Sequence, residues 1–315
     1  MRIFFLLALL VAQAATAQQY PNKPIRLIAP FAAGGALDLI ARGLGQKLAE
    51  SLGQPVVVEN RAGASGAIGS EAVARSAPDG YTLLLGATTT HGVNPALNPK
   101  LPYDAVKDFT PVSLVATIPH VLVVNPSLPV SSVQDLVQLG KSERALNYGS
   151  AGNGSPHHLA AELFKSMSGL QAEHVPYKGS GPALADLMGG QLQFISVEYT
   201  AAEPHIKSGK LRAIAIATAQ RAPGIELPTV AESGYAGFEV TSWYAIFGPA
   251  GMSEAITTKL SAEIHRAVSA TDLKERLQGL GTTPIGSTPR ELAAHVKAEL
   301  ARWTHVVKTA GIKPE

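Results

Sequence analysis

Aliphatic and β-branched runs alternate along the chain with stretches whose apolar positions recur every three to four residues. IRLIAPF (25–31), VVVEN (56–60) and TLLLGA (82–87) carry the strand pattern. Between them, LDLIARGLGQKLAESLG (37–53) and GSEAVARSAPDG (69–80) carry the helical pattern, each closing at a glycine. A second series begins near residue 120. HVLVVN (120–125), ALNYGSA (145–151), QAEHVPYKG (171–179), LQFISVE (192–198) and LRAIAIA (211–217) read as strands; SVQDLVQLGKS (132–142), PHHLAAELFKSMSG (156–169) and PALADLMGGQ (182–191) read as helices. After WYAIFGPAG come two long helical segments, TTKLSAEIHRAVSATDLKERLQGLG and TPRELAAHVKAELARWTHVVKTAG. This alternation predicts an α/β protein with mostly parallel sheets, and the length predicts two units at roughly 150 residues each. Two terminal helices cannot bury a core alone, so they are expected to pack on one of the α/β units.

The first seventeen residues, MRIFFLLALLVAQAATA, break that pattern. An early Arg2, an uncharged apolar stretch from Ile3 to Val11, and small residues at Ala15 and Ala17 define a secretory signal peptide cut after Ala17. The apolar core is too short for a bilayer-spanning anchor. The remaining 298 residues contain no cysteine, which suits an exported protein whose core is large enough to stand without disulfides. Without Arg2 there are 25 basic against 24 acidic residues, so nucleic acid and anionic membranes are poor partners. The expected location is the periplasm, and the expected state a monomer.

Four polar or glycine-rich loops follow strands: PFAAGGALD (30–38), GATTTHGVN (86–94), GSAGNGSPHH (149–158) and YKGSGPALAD (177–186). Ligands of open α/β sheets bind outside the carboxyl ends of strands, where helix N-termini offer free N–H donors to anions. A phosphate loop needs Lys and Ser or Thr after its last glycine, whereas Gly35 is followed by Ala36 and Leu37; no complete G-x-G-x-x-G occurs. There is no G-x-S-x-G nucleophile elbow, and Ser155 beside His157 and His158 lies too close in sequence for a nucleophile and base to face one another. The two histidines lack metal-ligand spacing and read as solvated or capping. Enzyme, metal and cofactor chemistry are therefore not expected. The loops offer hydroxyls and amides (Thr88, Thr89, Thr90; Ser150, Asn153, Ser155; Ser180) that grip without reacting, which suits a carboxylate. About 8 kcal/mol of net binding gives a micromolar affinity, and each charge-assisted hydrogen bond contributes about 1.5–3 kcal/mol, so four to six donors suffice without an arginine.

The chain closely resembles the extracytoplasmic solute receptors of tripartite tricarboxylate transporters, the Bug family. The resemblance is carried by YPNKPIRLIAPFAAGGALD (20–38), QPVVVENRAGASGAIGSEAVARSAPDGYTLL (54–84), THGVNPAL (90–97), LPYDAVKDFTPVSLVA (101–116), LNYGSAGNGSPHHLAAELFKSMSG (146–169), VPYKGSGPALADLMGGQ (175–191), PHIKSGKLRAIA (204–215), PTVAESGYAGFEVTSWY (228–244) and GSTPRELAAHVKAELARW (286–303). It implies a two-lobe, Venus-flytrap fold of the periplasmic binding protein type, with residues 18–119 and 240–315 in lobe 1, residues 120–239 in lobe 2, and two crossing strands as hinge. It also implies a small carboxylate ligand, integral-membrane transporter subunits as partners, and, as an alternative, docking on a two-component sensor kinase.

Transferred to matching positions, the resemblance places the ligand against Phe31, Ala32, Ala33, Gly34, Gly35 and Ala36 with Thr88, Thr89, Thr90 and His91 in lobe 1. In lobe 2 it places Ser150, Ala151, Gly152, Asn153, Gly154, Ser155, Tyr177, Lys178 and Gly179 there. Ser242 and Trp243 are expected to line the cleft or pack the hinge. Where the family commonly has a Phe-Asp-Asn-like run, this chain reads ISVEYTAAEPHIK (195–207). Glu198 facing the cleft would repel a second carboxylate or receive an ammonium or hydroxyl group, and Tyr199 would add an aromatic face. An amino acid or aromatic acid is then as plausible a ligand as citrate. Asp38 is expected to favour the helix N-terminus.

Overall fold

The computed structural model describes residues 20–34, 36–142, 146–177, 179–222, 224–279 and 281–312. The signal-peptide expectation for residues 1–17, and the calls on Gly35 and Lys178, lie outside the described residues.

The chain opens with β1 (Ile25–Ala29), whose residues are all buried except Arg26. The helix α1 (Ala36–Leu52) places Leu37, Ile40, Ala41, Leu44 and Leu48 on one buried stripe and stops at Gly53, whose positive φ of 68° turns the chain back. Then come β2 (Val56–Asn60), α2 (Ala67–Ala74) and β3 (Thr82–Ala87). β2 and β3 lie parallel to β1, one on either side. After β3 the chain winds into a wide helical turn, Thr89–Val93, and the short helix α3 (Asn94–Leu97).

A single 16-residue strand, β4 (Phe109–Val124), then crosses the molecule, buried over almost its whole length. Its hydrophobic run is near-continuous rather than alternating because both faces are covered. Its amino half pairs antiparallel with β9 (Thr241–Pro249), which in turn pairs antiparallel with β3. At Pro119 that pairing ends, and from His120 onward β4 pairs with β7 (Phe194–Glu198) and β8 (Arg212–Ile216), both antiparallel.

The far side of β7 continues the sheet with β5 (Leu146–Ser150) and β6 (Ala172–Pro176), parallel to one another. Helices α4 (Val133–Lys141), α5 (Pro156–Ser168), α6 (Ser180–Met188) and α7 (Tyr199–Lys207) belong to this series. The sheets are thus mixed. They are parallel at the outer strands and antiparallel where β4 and β9 enter, because a strand crossing between two sheets can serve only one polarity at its ends. The single helix read over 257–281 is two, α8 (Glu254–Ser269) and α9 (Thr271–Gly279), followed by β10 (Thr283–Pro284) against β4.

The last helix, α10 (Pro289–Ala310), begins with a capping box in which Thr288 Oγ1 accepts from the Glu291 amide while the Glu291 carboxylate accepts from the Thr288 amide. Its first turns, through Leu292 and Val296, pack on Trp243, Phe247 and Phe109. Its end, through Trp303 and Val306, packs in a cluster with Val93, Phe164, Phe194 and Phe238. The helix expected on one lobe therefore touches both halves. Two connections cross between the halves. One is β4 at Pro119–His120; the other is the return segment, where Ala217 N–H donates to His120 O and Val240 N–H donates to Ala217 O.

Candidate functional site

The loops after β1, β3 and β5 and the carboxyl end of β7 converge beside the crossing strands. They enclose a cavity of about 290 Å³ bordered by Phe31, Ala32, Ala36, Leu37, Thr88, Thr89, Ala151, Ser155, His157, Glu198, Ser242, Trp243 and Tyr244. A wider opening of about 640 Å³ adjoins it through Phe31, Thr89, Ala151 and Ser155, and brings in Asn153, Gly154, Asn94 and Leu97. The first half thus supplies hydroxyls and short side chains; the second supplies a helix start and a carboxylate.

The β1–α1 loop is held from behind. Asp38, in the first turn of α1 and nearly inaccessible, accepts from the Gly34 amide at 3.0 Å, from Arg42 Nε at 3.0 Å and from Asn60 Nδ2 at 2.9 Å. Asn60 Nδ2 also donates to Phe31 O at 3.1 Å. The Arg42 hydrogen bond first, then the Gly34 amide, hold the Asp38 carboxyl down to about 2. Gly34 lies at φ 89°, a conformation glycine tolerates, and its amide is engaged by Asp38. The acid expected at the helix start is the device that sets the loop's shape.

A carboxyl lowered on folding stabilises the fold above its unfolded value near 4, and that contribution is lost as pH falls towards 2. At about 1.4 kcal/mol per pH unit, the wild type is expected to lose about 2 kcal/mol over this window that Asp38→Asn does not lose. Urea unfolding at stepped pH measures the difference; parallel curves for the two proteins would contradict it.

Thr88 Oγ1 accepts from the Trp243 amide at 2.8 Å, tying the end of β3 to β9 and leaving its own proton to donate. Ser155 caps α5, its Oγ accepting from the His158 amide at 3.3 Å, and it likewise keeps a donor proton. Gly154, at φ 68°, brings the β5–α5 loop against Leu97 of α3 so closely that a Cβ there would lie 2.4 Å from Leu97 Cδ1. The two halves therefore touch across the mouth of the cleft at a glycine whose positive φ a side chain would strain.

Glu198 ends β7 with its carboxylate at the cavity wall and 22 % of its side chain exposed. Oε2 lies 2.6 Å from His157 Nε2, and Oε1 accepts from Ser242 Oγ at 3.2 Å. Since the Ser242 proton is spent on Glu198, the 3.0 Å bond between Ser242 Oγ and His120 Nε2 has the imidazole as donor. Burial pushes His120 down to about 4, against the pull of Glu198, so it is neutral with a bare Nδ1. Burial alone would raise Glu198, but His157, by charge and by hydrogen bond, holds the carboxyl well below the usual range. The group is an ionised carboxylate held by the His157 imidazole and the Ser242 hydroxyl, with His120 bonded to that hydroxyl from behind.

Of the residues named from sequence, Phe31, Ala32, Ala36, Thr88, Thr89, Ala151, Ser155, Glu198, Ser242 and Trp243 border the cavity, and Asn153 and Gly154 its mouth. Others are not brought there. The helical turn after β3 swings Thr90 and His91 into the interior. Thr90 Oγ1 bonds the Ala87 backbone, and the fully buried His91 stacks on Phe247 with ring centroids 3.9 Å apart. Burial lowers His91 to about 3, so it is a neutral core ring. Ser150 turns back to the Gly152 amide and to His174 Nε2. Ala33 and Gly34 sit at the exposed rim. Tyr177 donates to Asp186 Oδ2 at 2.7 Å, and Gly179 precedes α6; neither borders the cavity. Tyr199 begins α7 and faces a separate surface hollow with Ile206 and Arg212.

His157 and His158 are not solvated. Both are buried, the first bonded to Glu198, the second accepting from the Gly154 amide and stacked on His174 at 3.8 Å. His120 and Tyr244 carry no signal in sequence beyond their residue types, and the reading of His157 as solvated or capping misses its bond to Glu198, because β4, α5 and β9 meet only in the folded chain.

The fold and the cleft between its halves are those of periplasmic solute-binding proteins, which are binding receptors and not enzymes. Residues 40–312 match the receptor of the tripartite tricarboxylate transporter family, and the chain belongs to that family. It is 40% identical to protein BugT of Bordetella pertussis over 310 residues, 96% of this chain and 94% of the relative. Among solved structures, Rpa4515 of R. palustris with adipate is similar at a TM-score of 0.80 and 38% identity, covering 94% of this chain and 100% of that one. MatC (Rpa3494) from Rhodopseudomonas palustris with bound malate is similar at a TM-score of 0.75 and 36% identity, covering 91% of this chain and 100% of that one. Among the described residues no helix is long and apolar enough to cross a membrane.

Proposed function

We propose that this receptor captures a small carboxylate between two lobes in the periplasm and presents it to the integral-membrane subunits of a tripartite tricarboxylate transporter. Residues 18–119 and 240–315 form the first lobe and residues 120–239 the second, with the leader at 1–17 removed on export. The observation that carries this is the cavity of about 290 Å³ with hydroxyl donors at Thr88, Thr89 and Ser155, bordered by loops from both halves of the chain. A ligand gripped by both halves stabilises the closed arrangement through contacts it makes only there. The volume lies near the lower end for small-molecule sites, which suits a compact acid. Carboxylates in two related receptors, adipate in one and malate in the other, support the ligand class.

Thermal unfolding with a panel of mono-, di- and tricarboxylates, aliphatic and aromatic, tests the reading. At a hundredfold excess over Kd, a bound acid stabilises the native state by about 2.7 kcal/mol, which for a chain of this size raises Tm by roughly 4–5 °C. No shift and no calorimetric heat from any member would sink it.

A further inference from the structure

The β5–α5 loop is held from behind by two imidazoles that do not themselves border the cavity. His158 of α5 and His174 of β6 stack face to face, with ring centroids 3.8 Å apart and planes within 9° of parallel. Each anchors one glycine of the loop. His158 Nδ1 accepts from the Gly154 amide at 3.0 Å, while Ser150 Oγ, 2.6 Å from His174 Nε2, accepts from the Gly152 amide at 3.0 Å. The loop so anchored puts Ala151 and Ser155 on the cavity and Asn153 and Gly154 at its mouth. Gly154 also meets Leu97 of the other half. The shape of the loop, and its contact across the cleft, therefore depend on a bare Nδ1.

That nitrogen is bare only while the ring is neutral with its proton on Nε2, because an imidazolium carries a proton on both nitrogens and accepts nothing. Protonated, His158 would turn an N–H towards the Gly154 N–H and leave that donor without its acceptor. The groups facing the pair are Tyr148 of β5, stacked on both rings, and Glu162 and Lys165 of α5. Glu162 is already engaged, since its Oε1 accepts from the Tyr148 hydroxyl and from Lys165 Nζ. Burial holds His158 below the ordinary histidine value and pushes His174 down to about 4. An imidazole lowered on folding keeps the neutral arrangement complete above the unfolded value near 6.5 and loses it as pH falls through the folded one.

We propose that His158 is a positioning residue of the cleft and a proton-operated release: the neutral ring fixes the β5–α5 loop in the shape that grips a ligand, and protonation at Nδ1 frees the loop and lets the ligand go. This rests on the reading of the chain as a carboxylate receptor and adds a control on its affinity. A ligand that binds only the held loop has its apparent Kd raised by the inverse of the held fraction, so affinity should fall about tenfold per pH unit below the His158 midpoint.

Two measurements on the full chain test this. In ligand-free protein labelled with nitrogen-15 and carbon-13, stepped from about pH 7.5 to about pH 4.5 across the histidine range, the Gly154 amide is expected to shift and lose exchange protection with the same midpoint as the His158 ring resonances. Calorimetric titration with malate and adipate over the same range compares the wild type with two variants. His158→Ala should bind about tenfold more weakly at neutral pH, the loss of one net hydrogen bond. His158→Asn, whose amide oxygen reaches the place of Nδ1 and takes no proton, should restore most of that affinity and flatten the pH slope. Protonation of the acids themselves is common to both proteins and cancels in the ratio of wild type to His158→Asn. A Gly154 amide indifferent to the His158 titration, or a slope in His158→Asn equal to that of the wild type, would overturn the proposal and leave the carboxylate receptor standing. If neither acid binds, or if the variants do not fold, the Gly154 titration alone decides the proposal, and the receptor reading answers to its wider panel.

Discussion

Replacing Glu299 by alanine is expected to destabilise the protein by about 3–5 kcal/mol, lowering Tm by on the order of 10 °C. Glu299 is 2 % exposed on α10. Its Oε2 accepts from the indole N–H groups of both Trp243 and Trp303, each at 2.9 Å, while Oε1 accepts from Arg302 at 2.8 Å. One carboxylate thus joins the start of β9, the end of α10 and a half-buried guanidinium. Truncation orphans two buried indole donors and takes from Arg302 one of its two carboxylate partners, leaving it Glu239, and each orphaned buried donor costs about 1–3 kcal/mol. Glu299→Gln keeps an acceptor for the indoles and loses only the ion pair, so its penalty should be less than half as large. Chemical denaturation of both variants checks the order. An alanine variant as stable as the wild type would show that the carboxylate's own desolvation cost cancels its bonds.

Phe164→Ala is expected to cost a similar 3–5 kcal/mol for a different reason. Phe164 is 1 % exposed on α5, edge-on to Phe194, Tyr235 and Phe238 with ring centroids 6.4, 5.6 and 5.9 Å away. Its removal leaves a cavity that three rigid rings cannot close, and forfeits edge-to-face contacts worth about 0.5–1.5 kcal/mol each. Phe164→Leu refills most of the space and should lose less than half as much. Because Trp303 and Val306 of α10 sit in the same cluster, damage here should also loosen the last helix. Calorimetry should therefore show one lowered transition. A separate low-temperature transition with the main one unmoved would mean that the two halves unfold independently.

The legible parts of the site were those written in local chain chemistry. PFAAGGALD follows a strand and opens a helix, and the loop borders the cavity through Phe31, Ala32 and Ala36. Its missing lysine separates it from a phosphate loop, which needs no tertiary information. Asp38 was legible as a helix-start acid, though not as the clamp on Gly34 and Arg42, since Asn60 comes from another strand. TTTH read as a polar loop; a helical turn that rotates Thr90 and His91 inward has no local polarity signature, and His91 passes as a ligand until Phe247 is found stacked on it.

β4 was half missed. FTPVSLVATIP lacks alternation and carries two prolines, and its long pairing with β9 comes from more than a hundred residues away.

Glu198 marks the boundary between the two kinds of information. Sequence alone determined the α/β order of elements, the strand-to-helix loops that border the cavity, the near-neutral charge, and the presence of a carboxylate at the end of a strand. The direction of that carboxylate was not determined. FISVE is buried on both faces, so strand alternation cannot say which side meets the cleft. Only the tertiary structure decided it, by pairing Glu198 with His120 across β4, bringing His157 from the start of α5 and Ser242 from β9, and leaving their shared carboxylate at the cavity wall. The physical reason is range. Helix, strand and turn preferences act over a few residues, whereas the field a ligand meets is summed over side chains that share no neighbourhood until the chain is folded.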